Sequence, residues 1–112
     1  MTPWVIKIGG AALSNPSSIL EVVKTVAYLK HQGQDVVLVH GGGPMINQKL
    51  LEKNISWTFF EGQRVTTPEM MRGIEEGLGE VNVGIMEALM KVKVPCVGIP
   101  GNHNDMFLCK QM

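Results

Sequence analysis

The chain contains little cysteine, and its two cysteines, Cys96 and Cys109, do not form a Cys-x-x-Cys pair. Two thiols are too few for the disulfide framework of a small secreted protein, and their spacing from the histidines is not that of a zinc site. We therefore expect two reduced thiols, with Cys96 in the core.

Charge is also sparse, because charged residues make up 18% of the 112 residues, below the roughly 25% of an average chain. Ten Lys and Arg balance ten Asp and Glu, and the basic residues are scattered, which disfavours nucleic acid as a partner. No apolar run approaches the ~20 residues that span a bilayer, and the pattern of a secretory signal is missing from the first residues. These features predict a soluble cytoplasmic protein with neither a nucleic-acid nor a membrane partner.

Glycine is abundant instead, with 13 residues in 112, well above the roughly 7% of an average chain. Such an excess predicts close approaches between backbone segments. The hydrophobic content of 45% is enough for a buried core, and the length fits one globular domain, residues 1–112.

Hydrophobic periodicity predicts an α/β domain with a largely parallel sheet and right-handed crossovers. A mostly β-branched run at 5–8, which includes the charged Lys7, and an unbroken apolar run at 36–39 predict strands. Because the second run is unbroken, that strand is expected to be covered on both faces. A helix is predicted to begin at a capping box, Ser18 to Glu21, and to end near Gly33. Further elements follow in chain order: a helix from Pro44, a hairpin over 58–66, a long helix over Pro68–Val92, a strand over Pro95–Ile99 and the start of another at Met106–Met112.

The long helix carries glycines inside it, at Gly73, Gly77 and Gly84. Each costs about 1 kcal/mol relative to alanine, so each predicts a closely packed neighbour. An apolar stripe runs along the same helix: Ile74, Leu78, Val81 and Ile85. We expect the Pro68–Val92 helix to form the contact of a homodimer, with burial of the stripe inside the monomer as the alternative.

Lys7 stands two residues before a glycine pair, Gly9 and Gly10, at the end of the first predicted strand. Ligands of α/β sheets bind outside the carboxyl ends of the strands, where a lysine and exposed glycine amides can neutralise anionic oxygens. The alternative is an edge lysine beside an ordinary turn.

A second glycine motif, His40-Gly41-Gly42-Gly43-Pro44, joins the second strand to a helix. Its amides and the positive end of the helix dipole predict an anion as the ligand, although a tight strand-to-helix turn would use the same residues. The motif is not a Walker A loop, and Ile46 replaces the last glycine of the dinucleotide-binding fingerprint.

Arg64 follows the turn of the predicted hairpin, in the sequence Glu61-Gly62-Gln63-Arg64-Val65-Thr66. Its planar donors suit bidentate binding of a carboxylate, whereas many single arginines are simply solvated.

The three motifs, in this order and spacing, resemble the amino-acid kinase family and within it the N-acetylglutamate kinases. The resemblance covers essentially all 112 residues and implies a three-layer α/β/α fold, of which this chain would be the N-terminal, substrate-binding lobe without the ATP lobe. It implies phosphoryl transfer from ATP, with Mg²⁺, to the γ-carboxylate of N-acetyl-L-glutamate in arginine biosynthesis, through an acyl phosphate.

The resemblance assigns the catalytic and ATP contacts to Lys7, Gly9 and Gly10, and the substrate contacts to Gly41, Gly42, Gly43 and Arg64. Lys7 would stabilise the transferring phosphoryl group, the glycine amides the substrate and its developing charge, and Arg64 the substrate α-carboxylate beneath a hairpin lid. Phosphorylation of a carboxylate removes no proton, so we expect His40 to be structural rather than a base. No metal ligands are predicted in this chain.

Family members are roughly twice this length or more, and their second half supplies most of the nucleotide site. The isolated chain is therefore expected to be inactive. Two alternatives remain: a kinase of a related substrate such as N-acetyl-aminoadipate or aspartate, and a non-catalytic amino-acid-binding or dimerisation module.

Overall fold

The computed structural model describes residues 2–103, so Cys109 and the strand predicted at Met106–Met112 lie outside the described residues. Its elements in chain order are β1 (Trp4–Ile8), α1 (Gly10–Leu13), α2 (Pro16–His31), β2 (Val36–His40), α3 (Gly43–Glu52), β3 (Phe59–Phe60), β4 (Gln63–Arg64), a 3-10 turn (Pro68–Met70) and α4 (Met71–Lys91). The parallel sheet and helices of the predicted α/β class are confirmed.

Strands β1 and β2 pair in parallel, from Trp4 opposite Val36 to Ile8 opposite His40. Because side chains alternate along a strand, one face of this sheet turns to the helices and the other turns away. The outward face is exposed: Val5 is 69%, Val37 49% and Val39 44% accessible. The expectation that β2 is covered on both faces is therefore wrong within residues 2–103, since the helical layer that would cover the second face is not among them.

The core lies between the covered face of the sheet and helices α2 and α4. Its buried side chains are Ile8, Val23, Val26, Ile85, Leu89 and Val94. Cys96 is a free thiol that packs, half-buried, against this cluster, as predicted.

Helix α2 begins at Pro16 rather than at the predicted capping box. The side chain of Asn15 accepts a hydrogen bond from the Ser17 amide at 2.9 Å. Proline suits the first helical position because an N–H there would have no acceptor within the helix, so its absence costs nothing. The helix ends at His31, and Gly33 follows with a φ of +80°, close to the predicted end.

The predicted hairpin is confirmed, with Phe59 opposite Arg64 and Phe60 opposite Gln63. Its two-residue turn, Glu61 and Gly62, has φ values of 50° and 78°. Positive φ at both positions matches the twist of the flanking strands, and only glycine adopts it without cost.

Helices α3 and α4 pack closely because two glycines of α4 face α3. A Cβ on Gly73 would lie 3.0 Å from Leu50 Cδ2, and one on Gly77 would lie 3.0 Å from the backbone of Ile46. The predicted close neighbours are confirmed at these positions. The prediction is wrong at Gly84, where a Cβ would point into open space.

The apolar stripe of α4 is buried at Ile85 and half-buried at Ile74, Leu78 and Val81, so the alternative interpretation holds in part. Ile85 is a core residue, Val81 packs against the core, and Leu78 contacts Gly42. The core and the glycine turn thus cover part of the stripe, and a homodimer contact through the Pro68–Val92 helix stays a prediction.

No strand forms at Pro95–Ile99 within the described part of the chain, contrary to prediction. The segment crosses α4 instead, with Gly98 against Asn82 and Met86, while Val97 is 83% exposed. A strand is stabilised by ladder hydrogen bonds to a neighbour, and here the segment packs on a helix rather than on a strand edge.

Candidate functional site

The two glycine motifs meet at the carboxyl end of the sheet. Ile8 and His40 are paired at the ends of β1 and β2, so the chain leaves both strands side by side. A Cβ on Gly10 would lie 3.6 Å from Pro44 Cδ, which is ordinary van der Waals contact. The Gly9–Gly10 turn therefore lies against the start of α3, where ligands of α/β sheets bind.

The Gly41–Gly43 turn is backed by α4 on one side and open on the other. Gly42 is buried, and a Cβ there would lie 3.0 Å from Leu78 Cδ2 and 3.5 Å from Val81 Cγ2. Gly41 and Gly43 have nothing within 4 Å of such a position. Because α3 begins at Gly43, the first amides of the helix lack intrahelical acceptors and carry its partial positive charge. This arrangement can bind an anion.

Lys7 projects from β1 on the exposed face of the sheet, next to Val39 of β2. Its ammonium has no ion pair or hydrogen bond within residues 2–103. Lys7 thus stands one residue before the paired strand ends with its charge uncompensated, two residues before Gly9 in the chain and opposite Val39, which itself precedes Gly41 by two residues.

Arg64 is held by contacts on several sides. Its Nη2 donates to Asn47 Oδ1 at 2.7 Å, and its guanidinium carbon lies 5.0 Å from the Phe59 ring centre and 5.7 Å from that of Trp57. Asn47 is one helical turn beyond Gly43, or about 6 Å along α3. The hairpin arginine is therefore tethered near the glycine turn, and it is half-buried rather than simply solvated.

One donor of this guanidinium has no partner. Nη1 of Arg64 is buried and makes no hydrogen bond in the described part of the chain. Buried donors are nearly always paired, because leaving one unpaired costs about 1–3 kcal/mol. An unpaired donor on a tethered arginine indicates a place where an acceptor from outside the chain would be favourable.

His40 is occupied at both ring nitrogens. Nδ1 lies 2.8 Å from the Gly41 carbonyl oxygen, and Nε2 lies 3.0 Å from Asn82 Oδ1 on α4. A ring engaged on both sides is poorly placed to act as a base, which agrees with the structural role predicted for His40.

Three residues around the site were not predicted from the sequence: Asn47, Trp57 and Asn82. Asn82 follows Leu78 by four residues and precedes Ile85 by three, so it lies on the core-facing side of α4. A polar residue at such a position was the available signal, since a buried amide needs a specific partner. Asn47 and Trp57 gave no comparable signal.

Lys49 ties α3 to α4 beside the site. Its Nζ lies 2.5 Å from Glu80 Oε1 and 3.5 Å from Glu52 Oε2. The hydrogen bond to Glu80 is the largest cause of a raised pKa for Lys49, with the nearby Glu52 charge adding to it and burial opposing it. This ion pair is a further contact between the two helices that support the glycine turn.

Among residues 2–103, no group of three or more His, Cys, Asp or Glu side chains is placed to hold a metal ion. None of the helices in that same range is long and apolar enough to cross a membrane.

The chain is similar in sequence to known proteins of one family. Residues 2–111 match the profile of the Amino acid kinase family. Acetylglutamate kinase from Paracoccus denitrificans is 36% identical over 107 residues, which are 95% of this chain and 35% of that protein. The acetylglutamate kinase of Gracilaria tenuistipitata is 39% identical over 105 residues, 93% of this chain and 37% of that protein. The chain thus spans a little over a third of the length of these relatives.

Solved structures share the fold. The smu.665 protein of Streptococcus mutans superposes with a TM-score of 0.68 at 32% identity, covering 83% of this chain and 38% of its own. An N-acetylglutamate synthase from Neisseria gonorrhoeae, solved with coenzyme A and N-acetyl-glutamate, superposes with a TM-score of 0.67 at 23% identity. That match covers 86% of this chain and 22% of the synthase, and at this identity it supports a shared fold and nothing more.

Proposed function

The chain belongs to the amino acid kinase family, and from that membership we propose that it supplies the substrate-binding half of an N-acetyl-L-glutamate kinase. The reaction is transfer of the γ-phosphoryl group of ATP to the γ-carboxylate of N-acetyl-L-glutamate, in arginine biosynthesis. The relatives named acetylglutamate kinase support this substrate.

The observation that carries the proposal is that the Gly9–Gly10 turn lies against Pro44 at the start of α3, while Arg64 is hydrogen-bonded to Asn47 one turn further along the same helix. N-acetyl-L-glutamate presents two carboxylates and one acetamide, all of which accept hydrogen bonds. The open amides of the Gly41–Gly43 turn suit the γ-carboxylate. The guanidinium of Arg64 suits the α-carboxylate, and because its unpaired Nη1 is buried, the side chain has to turn outward to bind it.

The proposed chemistry depends on positioning and charge rather than on a base. A γ-carboxylate oxygen attacks the γ-phosphorus, the bond from phosphorus to the bridging oxygen of ADP breaks, and ADP leaves with that electron pair. Lys7 stabilises the negative oxygens of the transferring group, with Gly9 and Gly10 beside it. Donors placed where charge develops lower the barrier most, and one such donor is worth about 10²–10³ in rate.

The rest of the ATP site, and any ligands for Mg²⁺, belong to the part of the family fold that this chain does not span. Mg²⁺ would come with ATP, and we assign no step of this chain to it. We accordingly propose that the 112 residues alone bind substrate without turning it over. Location in the cytoplasm, where ATP is abundant, is part of the same proposal.

The test is titration calorimetry of the chain with N-acetyl-L-glutamate and, as comparisons, L-aspartate and N-acetyl-L-aminoadipate. We expect the first to bind best, and tighter binding of either other ligand would move the proposal to that substrate. Absence of binding by all three would overturn it.

Hydroxamate trapping of the acyl phosphate then tests turnover, with ATP and Mg²⁺ present. The chain alone should give no product, and the chain joined to the ATP lobe of a relative should give it. Turnover near 1 s⁻¹ by the chain alone would contradict the assignment of a half-site. Binding without turnover by the joined protein would instead identify an amino-acid-binding module.

A further inference from the structure

His40 connects the glycine turn to α4 through a chain of two hydrogen bonds. Asn82, in the middle of α4, contacts Nε2 of the ring at 3.0 Å, and Nδ1 contacts the Gly41 carbonyl oxygen at 2.8 Å. His40 and Asn82 are both half-buried and so is the contact between them, whereas the contact of His40 with Gly41 is exposed. The His40–Asn82 contact joins residues 42 positions apart in the chain.

The Gly41 carbonyl can only accept, so Nδ1 must carry the proton in this contact. Two arrangements then satisfy Nε2: a neutral ring that accepts from the Asn82 amide group, or an imidazolium that donates to the Asn82 oxygen. Either arrangement fixes the orientation of the ring. In both, His40 and Asn82 act as one unit.

The peptide plane carries this constraint into the anion-binding turn. The Gly41 carbonyl and the Gly42 N–H belong to one planar trans peptide, in which they point in opposite directions. Holding the carbonyl against His40 therefore aims the Gly42 N–H away from the ring. Leu78 and Val81 pack against Gly42 from the same face of α4, so the helix sets both the position and the direction of this peptide.

We propose that Asn82 is a positioning residue for the anion site: through His40 it orients the Gly41–Gly42 peptide so that the Gly42 amide is preset for the substrate carboxylate. Asn82 itself does not touch the substrate. The identity of the anion rests on the proposed function, whereas the orientation of the peptide does not.

The main variant is Asn82→Leu, which keeps the side-chain volume and removes both hydrogen-bonding groups. Glu87→Gln, at an exposed position of the same helix, is the matched control. The first readout is the affinity of the full 112-residue chain for N-acetyl-L-glutamate. We expect it to fall about tenfold in Asn82→Leu, as for loss of one oriented hydrogen bond, and to be unchanged in Glu87→Gln.

The second readout needs no ligand. Long-range ¹H–¹⁵N spectra at pH 8, where an ordinary imidazole is neutral, report which ring nitrogen of His40 carries the proton. We expect a fixed Nδ1–H in the wild type, a mixture of tautomers in Asn82→Leu, and a shifted Gly42 amide signal with Gly62 unchanged.

A double-mutant cycle separates positioning from general loss of packing. If the two residues act as one unit, His40→Leu with Asn82→Leu weakens binding no more than His40→Leu alone. Additive losses, or an Asn82→Leu variant with wild-type affinity and an unmoved Gly42 signal, would overturn the proposal.

Failure of the proposed function gives a different pattern. If the wild type does not bind N-acetyl-L-glutamate, the ring tautomer and the Gly42 signal still decide whether Asn82 orients the peptide. If Asn82→Leu does not fold, the wild-type spectrum alone tests the proposal. A mixture of His40 tautomers in the wild type would overturn it, because a ring held on both sides has one fixed tautomer.

Discussion

Arg64 and Asn47 join the hairpin to helix α3 through one hydrogen bond of 2.7 Å between Nη2 and Oδ1. The bond makes the direction of the guanidinium depend on a helix that begins at the glycine turn. A hairpin of two-residue strands has little stability of its own, so this contact and the aromatic rings beside Arg64 determine where the arginine stands. Changes at either residue should therefore affect the same ligand.

Replacement of Arg64 tests its role in substrate binding. We expect Arg64→Ala to weaken N-acetyl-L-glutamate binding by about 1.5–3 kcal/mol, the range for a charged hydrogen bond, or roughly 10- to 150-fold. Arg72→Ala is the control, since Arg72 is 84% exposed and pairs with Glu76 on its own helix. Equal affinities of the Arg64 and Arg72 variants in calorimetry would remove Arg64 from the site.

A side chain at Gly42 should destabilise the fold by a clash with Leu78, and shortening Leu78 should relieve that clash. In Gly42→Ala the new methyl group meets Leu78 Cδ2 at 3.0 Å, and overpacking of this kind costs about 1–3 kcal/mol of unfolding free energy. Gly42→Ala should therefore lower the unfolding free energy less in a Leu78→Ala background than in the wild type, as measured by urea denaturation. Gly41→Ala, where no atom lies within 4 Å, serves as the comparison.

Two glycines of α4 should respond in opposite directions to alanine. Gly77→Ala would place a methyl group 3.0 Å from the backbone of Ile46, which cannot move aside cheaply, so α3 and α4 must separate and stability falls. Gly84→Ala meets open space and should raise stability by about 0.5–1 kcal/mol through helix propensity alone. Thermal unfolding of both variants checks the pair, and a stable Gly77→Ala would show that the interhelical contact is looser than the structure has it.

The ion pair of Lys49 and Glu80 predicts a loss of stability at high pH. The folded pKa of Lys49 is raised above its ordinary value of 10.5, chiefly by the hydrogen bond to Glu80. A raised pKa of a base stabilises the fold fully below the unfolded value and loses that contribution as pH rises through the folded one. The melting temperatures of wild type and Lys49→Met should therefore differ at pH 9 and converge as the pH rises beyond 10.5 and through the raised folded pKa of Lys49. A constant difference across this range would assign the effect to packing of the lysine stem.

Self-association of the chain through the Pro68–Val92 helix remains a prediction, and it can be tested at an exposed residue of that helix. The outward side of α4 presents Val83, 52% exposed, between Gly79 and Gly84. If this side forms the contact, Val83→Lys should dissociate the oligomer in sedimentation velocity at tens of micromolar while leaving the melting profile of the monomer unchanged. A wild type that sediments only as monomer would contradict it.

The sequence was informative where local chemistry decides the structure. The turn at Glu61-Gly62 follows from its positive φ values, and the approach of α3 to α4 follows from the cost of Gly77 inside a helix. The position of the glycine turns at strand ends was likewise predictable, because strand runs and glycines stand next to each other in the chain.

Features that depend on distant partners were not predictable. The Asn82–His40 contact and the tether of Arg64 to Asn47 join residues 42 and 17 positions apart, and no pattern in one sequence selects such pairs. Pro95–Ile99 has the apolar composition of a strand, but composition does not say whether a strand edge or the surface of α4 lies beside it.

The bare valine face of the β1–β2 sheet has a calorimetric consequence. The heat capacity of unfolding grows with the apolar area that unfolding newly wets, and the valines of this face are already in contact with water in the folded chain. The chain should therefore unfold with a heat-capacity increment below the usual 12–15 cal/mol/K per residue, and its stability should change little with temperature near the maximum. Covering the face with the remainder of the family fold should raise the increment per residue and sharpen the transition.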